Sequence, residues 1–264
     1  MINGIHYQLF LKFGAKEHLE SLQQGMLYMK EARYFRQLES SKGHHSLRTI
    51  RGIEASEIPS SNCTKNLAIA GMADPYDSCL IQRDAYLEID GIKMPRPDFM
   101  SITNTLDEKT PIFCCTCLKK NDFTFNKDGN YYRLSTQYLN DIERMKTSFG
   151  NYVLIIPYPE LFVSRIIASC NSKNLDCRFK EVQYVDYSRK DNYWKRLYQN
   201  NLSHFFIKDQ SFRVQREFRI LLSNFYTDEY KDFTVLNVPK GFGDFTKVTS
   251  IEKLNTLELY NVNS

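Results

Sequence analysis

Phe212 to Leu222 reads F-R-V-Q-R-E-F-R-I-L-L, and its alternation points to the fold class. Phe212, Val214, Phe218, Ile220 and Leu222 share one face of an extended chain, with Arg216 the only polar residue among them. Arg213, Gln215, Glu217 and Arg219 share the other. Strand side chains point to opposite faces with period two, so the pattern predicts a strand with an apolar back and a charged front. The front holds a Gln and a Glu two residues apart, with an Arg at each end. A single carboxylate between cations, beside an amide on a rigid strand, can stabilise a developing positive charge or anchor a polar ligand. The same residues also fit a solvated ladder of mutually neutralising charges, which contributes little.

Working outward, Ile5 to Phe13 predicts a first strand that Gly14 breaks. A short helix carries Leu19 and Leu22, and Gly25 is placed to end it. Met26 to Met29 resumes an extended apolar run. Arg33, Tyr34, Phe35, Arg36 and Glu39 then crowd together before a loop over about 40–61, which carries His44, His45, Arg48, Arg51 and Glu54. Asp90-Gly91 between apolar flanks signals a hairpin. Pro111 to Leu118, P-I-F-C-C-T-C-L, reads as a buried strand, and N-K-D-G-N at Asn126 to Asn130 turns a second hairpin. Ser135 can cap a helix running to about Ser148, closed by Gly150. Tyr152 to Ile156 is a compact strand. Pro159 opens another helix, with Leu161, Phe162, Ile166 and Ile167 inward. Glu181 to Tyr187 reads as a strand, and Asn192 to Asn200, with the only Trp (Trp194), as a helix. Phe233 to Val238 and Leu257 to Val262 are late strands around the loop K-G-F-G-D. Many strands with a few helices, in mixed order, favour α+β with mostly antiparallel pairing. One domain over 1–264, with the 40–61 loop as an insertion, accommodates all of these elements.

The 264 residues can bury a sizeable core, and 17 Tyr with 18 Phe make it aromatic-rich. A formal charge of +4 permits a nucleic-acid partner without requiring one. The opening M-I-N-G-I-H-Y lacks the pattern of a signal peptide, and no window approaches a membrane span, so the expectation is a cytoplasmic protein without a membrane partner. Seven cysteines, an odd number, then read as reduced thiols. Cys114 and Cys117 form a C-x-x-C, but Cys170 and Cys177 complete no zinc spacing, so no metal is expected. No G-x-G-x-x-G, P-loop, H-E-x-x-H or G-x-S-x-G is present, which removes the commonest nucleotide-binding and hydrolase fingerprints.

Three stretches carry a family likeness: L-F-L-K-F-G in the first strand, F-C-C-T-C in the middle one and V-Q-R-E-F-R in the late one. In this order, with the short helix ending L-x-x-G and the L-Y-M run after it, the chain resembles bacterial ADP-ribosyltransferase-like folds, including DNA-modifying toxins. E-F-R-I also resembles the E-[FY]-R signature of an uncharacterised bacterial family often found near phage-defence genes. The resemblance implies a split, mostly antiparallel sheet and NAD as cosubstrate. It implies Glu217 as the catalytic carboxylate, and Gln215 as the group meeting the acceptor. For NAD it implies Lys12 or His6 in place of the usual first-strand His or Arg, and Thr116 in place of the middle-strand Ser/Thr. Tyr28, Tyr34 and Phe35 would stack on nicotinamide or adenine, and Arg36 or Arg51 would pair with the pyrophosphate. The implied activity is ADP-ribosyl transfer to nucleic acid or a translation component, as a toxin or anti-phage effector with a possible antitoxin partner. The competing class is a non-catalytic nucleic-acid-binding or interaction protein of a defence locus, using the same Arg, Tyr and Phe for backbone contacts and stacking.

Overall fold

The computed structural model describes residues 8–35, 105–186, 202–227 and 231–260, with short strands at 48–50, 53–55, 80–83, 88–89, 92–93 and 99–102. Its main feature is an eight-stranded sheet. The strands are β1 (Leu9–Gly14), β2 (Met26–Glu31), β3 (Pro111–Leu118), β4 (Tyr152–Ile156), β5 (Cys177–Glu181), β6 (Glu217–Leu222), β7 (Phe233–Asn237) and β8 (Lys247–Ser250). Three helices pack on it: α1 (Lys16–Gln23), α2 (Thr136–Phe149) and α3 (Pro159–Asn171). Every pairing in the sheet is antiparallel, in the order β5-β6-β3-β1-β4-β8, with the β2–β7 pair joined to β3. The expected α+β class with mostly antiparallel pairing is what forms.

The hub is β3. A run of small and branched apolar residues can be covered on both faces, and nearly all of β3 is buried. Along one edge it pairs with β6 continuously, from Glu217 opposite Thr116 to Leu221 opposite Ile112. Along the other edge two strands share it. β1 takes the C-terminal half, Leu11 opposite Thr116 to Leu9 opposite Leu118. β2 takes the N-terminal end, Lys30 opposite Ile112 and Glu31 opposite Pro111. The sheet therefore splits at Phe113–Cys115, where Lys12 donates from Nζ to the Cys114 carbonyl at 2.7 Å.

Both faces are covered. Phe10, Phe113, Phe218, Ile220 and Leu222 pack against Phe162 and Ile166 of α3 and Leu19 and Leu22 of α1. Phe10 and Phe218 lie ring to ring at 4.7 Å. On the opposite face Leu9, Leu11 and Val153 meet Tyr138 and Ile142 of α2, and Leu221 meets Phe205 and Phe206. Local signals place the helices. Ser135 Oγ accepts from the Tyr138 N–H at the start of α2, and Gly150, at φ 92°, ends it.

Several boundaries differ from expectation. The strand predicted over Phe212–Leu222 begins only at Glu217, because Gln210–Gln215 winds into a 3-10 turn capped by Asp209, whose carboxylate accepts from the Ser211 N–H at 2.9 Å. Phe212 and Gln215, three apart, are its buried residues, so a period of three underlies what read as alternation. β5 starts at Cys177 and ends at Glu181, with Gln183–Val185 a separate strand, because the Val182 N–H is drawn to the Glu217 carbonyl. Leu161, expected inward, is exposed, because it lies off the stripe Phe162, Val163 and Ile166 that faces the sheet. The expected 40–61 loop contains a short antiparallel pair, Arg48–Ile50 with Ile53–Ala55. Ile5 to Tyr7, the Asn192–Asn200 helix with Trp194, and the histidines at 44 and 45 lie outside the described residues. Among the described residues no helix is long and apolar enough to cross a membrane.

Where α1 meets β2 two backbones cross. Gly25 has φ +97°, and a Cβ built there would lie 2.1 Å from the Val238 carbonyl oxygen. That carbonyl belongs to a tight join in which the Val238 N–H donates to Gly25 O at 2.8 Å and the Phe242 N–H donates to Gln23 O at 2.7 Å. Gly25→Ala is expected to destabilise the fold by about 2 kcal/mol or more, combining left-handed strain with a main-chain clash. Thermal melting of the variant against wild type checks this, and an unchanged midpoint would contradict the crossing.

Candidate functional site

Glu217 opens β6 and sits across from Thr116 of β3, which in turn faces Leu11 of β1. Three neighbouring strands thus align at one level beside the split. The Glu217 carboxylate is buried and accepts hydrogen bonds at both oxygens. Oε1 accepts from Arg219 Nε at 2.8 Å, and Oε2 accepts from Arg219 Nη2 and from Lys208 Nζ, each at 3.2 Å. The Cys114 thiol adds another hydrogen bond. Arg219 is itself completely buried and donates from Nη1 to the Phe205 carbonyl at 2.7 Å. Lys208 also donates to Gln215 Oε1 at 2.8 Å, and its ammonium lies 5.0 Å from the Phe212 ring centre. The main-chain N–H of Glu217 donates to Tyr184 Oη at 2.9 Å.

These contacts set the charge. Burial pushes the Glu217 carboxyl up, but the Arg219 guanidinium, the Lys208 ammonium and hydrogen bonds from Arg219 and Cys114 outweigh it and hold the group well below the usual carboxylate range. The neighbours move the other way. Burial and the Glu217 charge raise both the Cys114 thiol and the Tyr184 phenol. At neutral pH the site is one carboxylate among protonated donors.

The kink just before Glu217 is clamped. Arg216 has φ +45°, a left-handed conformation that costs a non-glycine residue about 1–2 kcal/mol. Its side chain leaves the sheet: Nε meets Asp122 at 2.7 Å, Nη1 meets Asp141 at 2.9 Å, and the guanidinium lies 4.6 Å from the Tyr138 ring centre. Its carbonyl accepts the Cys117 N–H at 2.7 Å. Arg216 is therefore not a polar residue on an apolar strand face, as its sequence position suggested, but the anchor of a turn. Gln215 and Glu217 correspondingly do not share a strand face. They meet because the turn returns Gln215 to the Lys208 ammonium that also holds Glu217.

Two cavities adjoin here. A chamber of about 110 Å³ is lined by Lys12, Phe35, Thr116, Lys208, Gln215 and Glu217, among others. A larger cleft of about 750 Å³, in the split between β1 and β2, is lined by His18, Tyr28, Lys30, Tyr34 and Val235. Lys12, Phe13, Phe35 and Cys114 line both. Tyr28 is half exposed and stacked on Phe233 at 4.4 Å between ring centres. Lys30 Nζ lies 4.3 Å from the Tyr34 ring centre and pairs with Asp232 at 2.8 Å.

Of the residues singled out in the sequence, the structure brings Lys12, Thr116, Gln215 and Glu217 to the chamber and Tyr28 and Tyr34 to the cleft. Arg36 and Arg51 lie outside the described residues. Arg219 is no surface member of a charge ladder, because Phe205 and the rest of its layer cover that face of β6. Lys208 and Tyr184 escaped the sequence reading as site members, and Cys114 entered it only through the C-x-x-C weighed as a zinc spacing. A lysine inside H-F-F-I-K-D, among apolar neighbours, was the only hint of the first. No family model matches the chain, and no curated protein or solved structure matches it significantly.

Stability should follow this charge cluster. Removing one member of a buried, hydrogen-bonded ion pair typically costs about 3–5 kcal/mol, so Arg219→Met should lower the melting point steeply. Because Glu217 has a folded pKa below its unfolded value of about 4.3, its stabilisation is complete above that pH and is lost as pH falls below it. Glu217→Gln should therefore flatten the acid limb of stability against pH. Urea titrations at several pH values measure it, and parallel curves for variant and wild type would contradict the ionised, caged carboxylate. At the kink, Arg216→Gly should be less damaging than Arg216→Ala by about 1 kcal/mol, because both lose the clamp but only glycine enters the left-handed region freely. Equal losses would argue against the kink.

Proposed function

We propose that this chain is an NAD-dependent ADP-ribosyltransferase acting as a toxin or anti-phage effector, with nucleic acid or a translation component as acceptor. One observation carries the reading: Lys12, Thr116 and Glu217, from three adjacent strands, meet around a single chamber that adjoins an aromatic, lysine-bearing cleft. Those strands are the ones whose sequences resemble the ADP-ribosyltransferase pattern. NAD is a substrate in this chemistry, consumed rather than retained.

The residues suit the task. Breaking the nicotinamide–ribose bond builds positive charge on the ribose. An ionised carboxylate fixed by Arg219 can accept a hydrogen bond from a ribose hydroxyl and stabilise that charge without reorganising. The cleft supplies what a dinucleotide needs at its other end: Tyr28 and Tyr34 as flat apolar surfaces, and Lys30 as a cation for phosphate. A chamber much smaller than the cleft suits one ring against the carboxylate, with the remainder of the dinucleotide in the larger space.

Incubation with NAD, followed by chromatography for nicotinamide and mass spectrometry for added ADP-ribose, tests the reading. Glu217→Gln should lower turnover by roughly 10²- to 10⁴-fold. Tyr28→Ala, remote from the bond that breaks, should raise KM with kcat little changed. Wild-type turnover in Glu217→Gln would remove the catalytic assignment. Retention of oligonucleotides without any nicotinamide release would favour the non-catalytic nucleic-acid-binding reading.

A further inference from the structure

The reading above leaves open which atom attacks the ribose, and the wiring of the chamber narrows it. A neutral hydroxyl or amine must lose a proton as it attacks, so a transferase that uses one benefits from a base beside the reacting carbon. The chamber offers little in that role. Both oxygens of Glu217 already accept from Arg219 and Lys208, and this caging makes the carboxylate a weak base. Gln215 is an amide, and its Oε1 already accepts from Lys208. The Cys114 thiol and the Tyr184 phenol are held in their protonated forms. His18 lines the outer cleft rather than the chamber.

Charge points the same way. Among the described residues that line the chamber Glu217 is the only acidic one, whereas Lys12 and Lys208 both line it and Arg219 stands behind the carboxylate. Three cations surround one anion. Lys12 Nζ has three donors and gives one to the Cys114 carbonyl at the junction of the two cavities. Such a site disfavours a cationic acceptor such as an arginine or lysine side chain, and suits an anion that arrives ready to attack.

We propose that the acceptor is a phosphate monoester, of the kind that ends a nucleic-acid strand, held by Lys12 and Lys208 and attacking the ribose as an oxyanion. This rests on the ADP-ribosyltransferase reading and specifies its acceptor. A phosphate monoester is largely dianionic at neutral pH, with its second pKa near about 6, so no base is required. In the step, a phosphate oxygen forms a bond to the ribose C1′ while the bond from C1′ to the nicotinamide nitrogen breaks. The electron pair of that bond leaves with the nicotinamide, which departs neutral. The products are nicotinamide and an ADP-ribosyl phosphodiester, and no proton is released.

The test uses the full chain with NAD and four acceptors: one single-stranded oligonucleotide carrying a 5′-phosphate, the same strand with a 3′-phosphate, the same strand with hydroxyl ends, and inorganic phosphate. Nicotinamide and added ADP-ribose are measured for each. Label on a phosphorylated strand and not on the hydroxyl strand is expected. ADP-ribose 1-phosphate formed from inorganic phosphate, with no labelled strand, would support the same chemistry with free phosphate as its source. Equal labelling of phosphorylated and hydroxyl strands, or release of ADP-ribose to water alone, would each overturn the phosphate acceptor while leaving NAD cleavage at this site in place. Absence of nicotinamide release under every condition would overturn the transferase reading itself. Lys12→Met, at a half-buried position, should raise KM for the phosphorylated strand, measured at saturating NAD, roughly tenfold through loss of a charge-assisted contact. An unchanged KM would remove Lys12 from the acceptor site.

Discussion

The pairing of Glu217 with Arg219 and Lys208 is the constraint around which this architecture is built. A buried carboxylate alone would lose its charge, and a buried guanidinium alone would be very costly. Each is tolerable because the other is within hydrogen-bonding distance and because Phe205 O, Gln215 and Cys114 satisfy the remaining donors and acceptors. Lys208 comes from a strand that pairs in parallel with Gln183–Val185, and Gln215 from a 3-10 turn. Glu217 and Arg219 come from β6. One charge cluster therefore ties the turn and the outer strand to the sheet, and the fold holds it only if every partner arrives.

The split of the sheet places that cluster beside open space. A strand edge presents a continuous row of N–H and C=O groups that normally meets one neighbour. Here the edge of β3 is shared by β1 and β2, and the middle of it, around Cys114, is met by the Lys12 ammonium instead. Gly25 and Gly241 allow the close crossing that holds β2 and β7 out on their own branch. The cleft is the consequence: β1 and β2 diverge, α1 closes one side, and the outward residues of the β2–β7 pair, Tyr28 and Val235, face the space between them.

A rigid carboxylate presented by a strand, held ionised by cations behind it, is a preorganised electrostatic site: its charge is aimed before any ligand arrives. The same cations limit what else the carboxylate can do. A group so fully solvated by protein donors stabilises positive charge but takes up protons poorly. The functional reading and the choice of acceptor proposed for this chain follow from that single asymmetry.

Much of the architecture was legible locally. The P-I-F-C-C-T-C-L strand, the Asn126–Asn130 hairpin, the Ser135 cap with its Gly150 stop and the Pro159 helix start all depend on contacts within a few residues, and each formed where the residues indicated. The choice of Glu217 and Gln215 as neighbours was also readable, though for the wrong reason. Alternation in F-R-V-Q-R-E-F-R suggested one straight strand with Phe212 and Gln215 on opposite faces, where the chain instead forms a 3-10 turn that buries both, and so short a stretch is compatible with either conformation. What separates them is Arg216, whose left-handed backbone is stabilised by Asp122 and Asp141, far away in the chain. Lys208 and the burial of Arg219 were invisible for a related reason: a charged residue reads as exposed until its surroundings are known, and although their partners Gln215 and Glu217 are near in the chain, it is the sheet and the Phe205 layer that bury the group. The sequence by itself determined the α+β class, most of the elements and the carboxylate. Tertiary structure alone decided that the sheet would split beside the carboxylate and that Lys12 would stand at the junction, because both depend on pairings between strands roughly a hundred residues apart, and that the nearby Arg219 and Lys208 would be buried with the carboxylate as its cage, which no local pattern encodes.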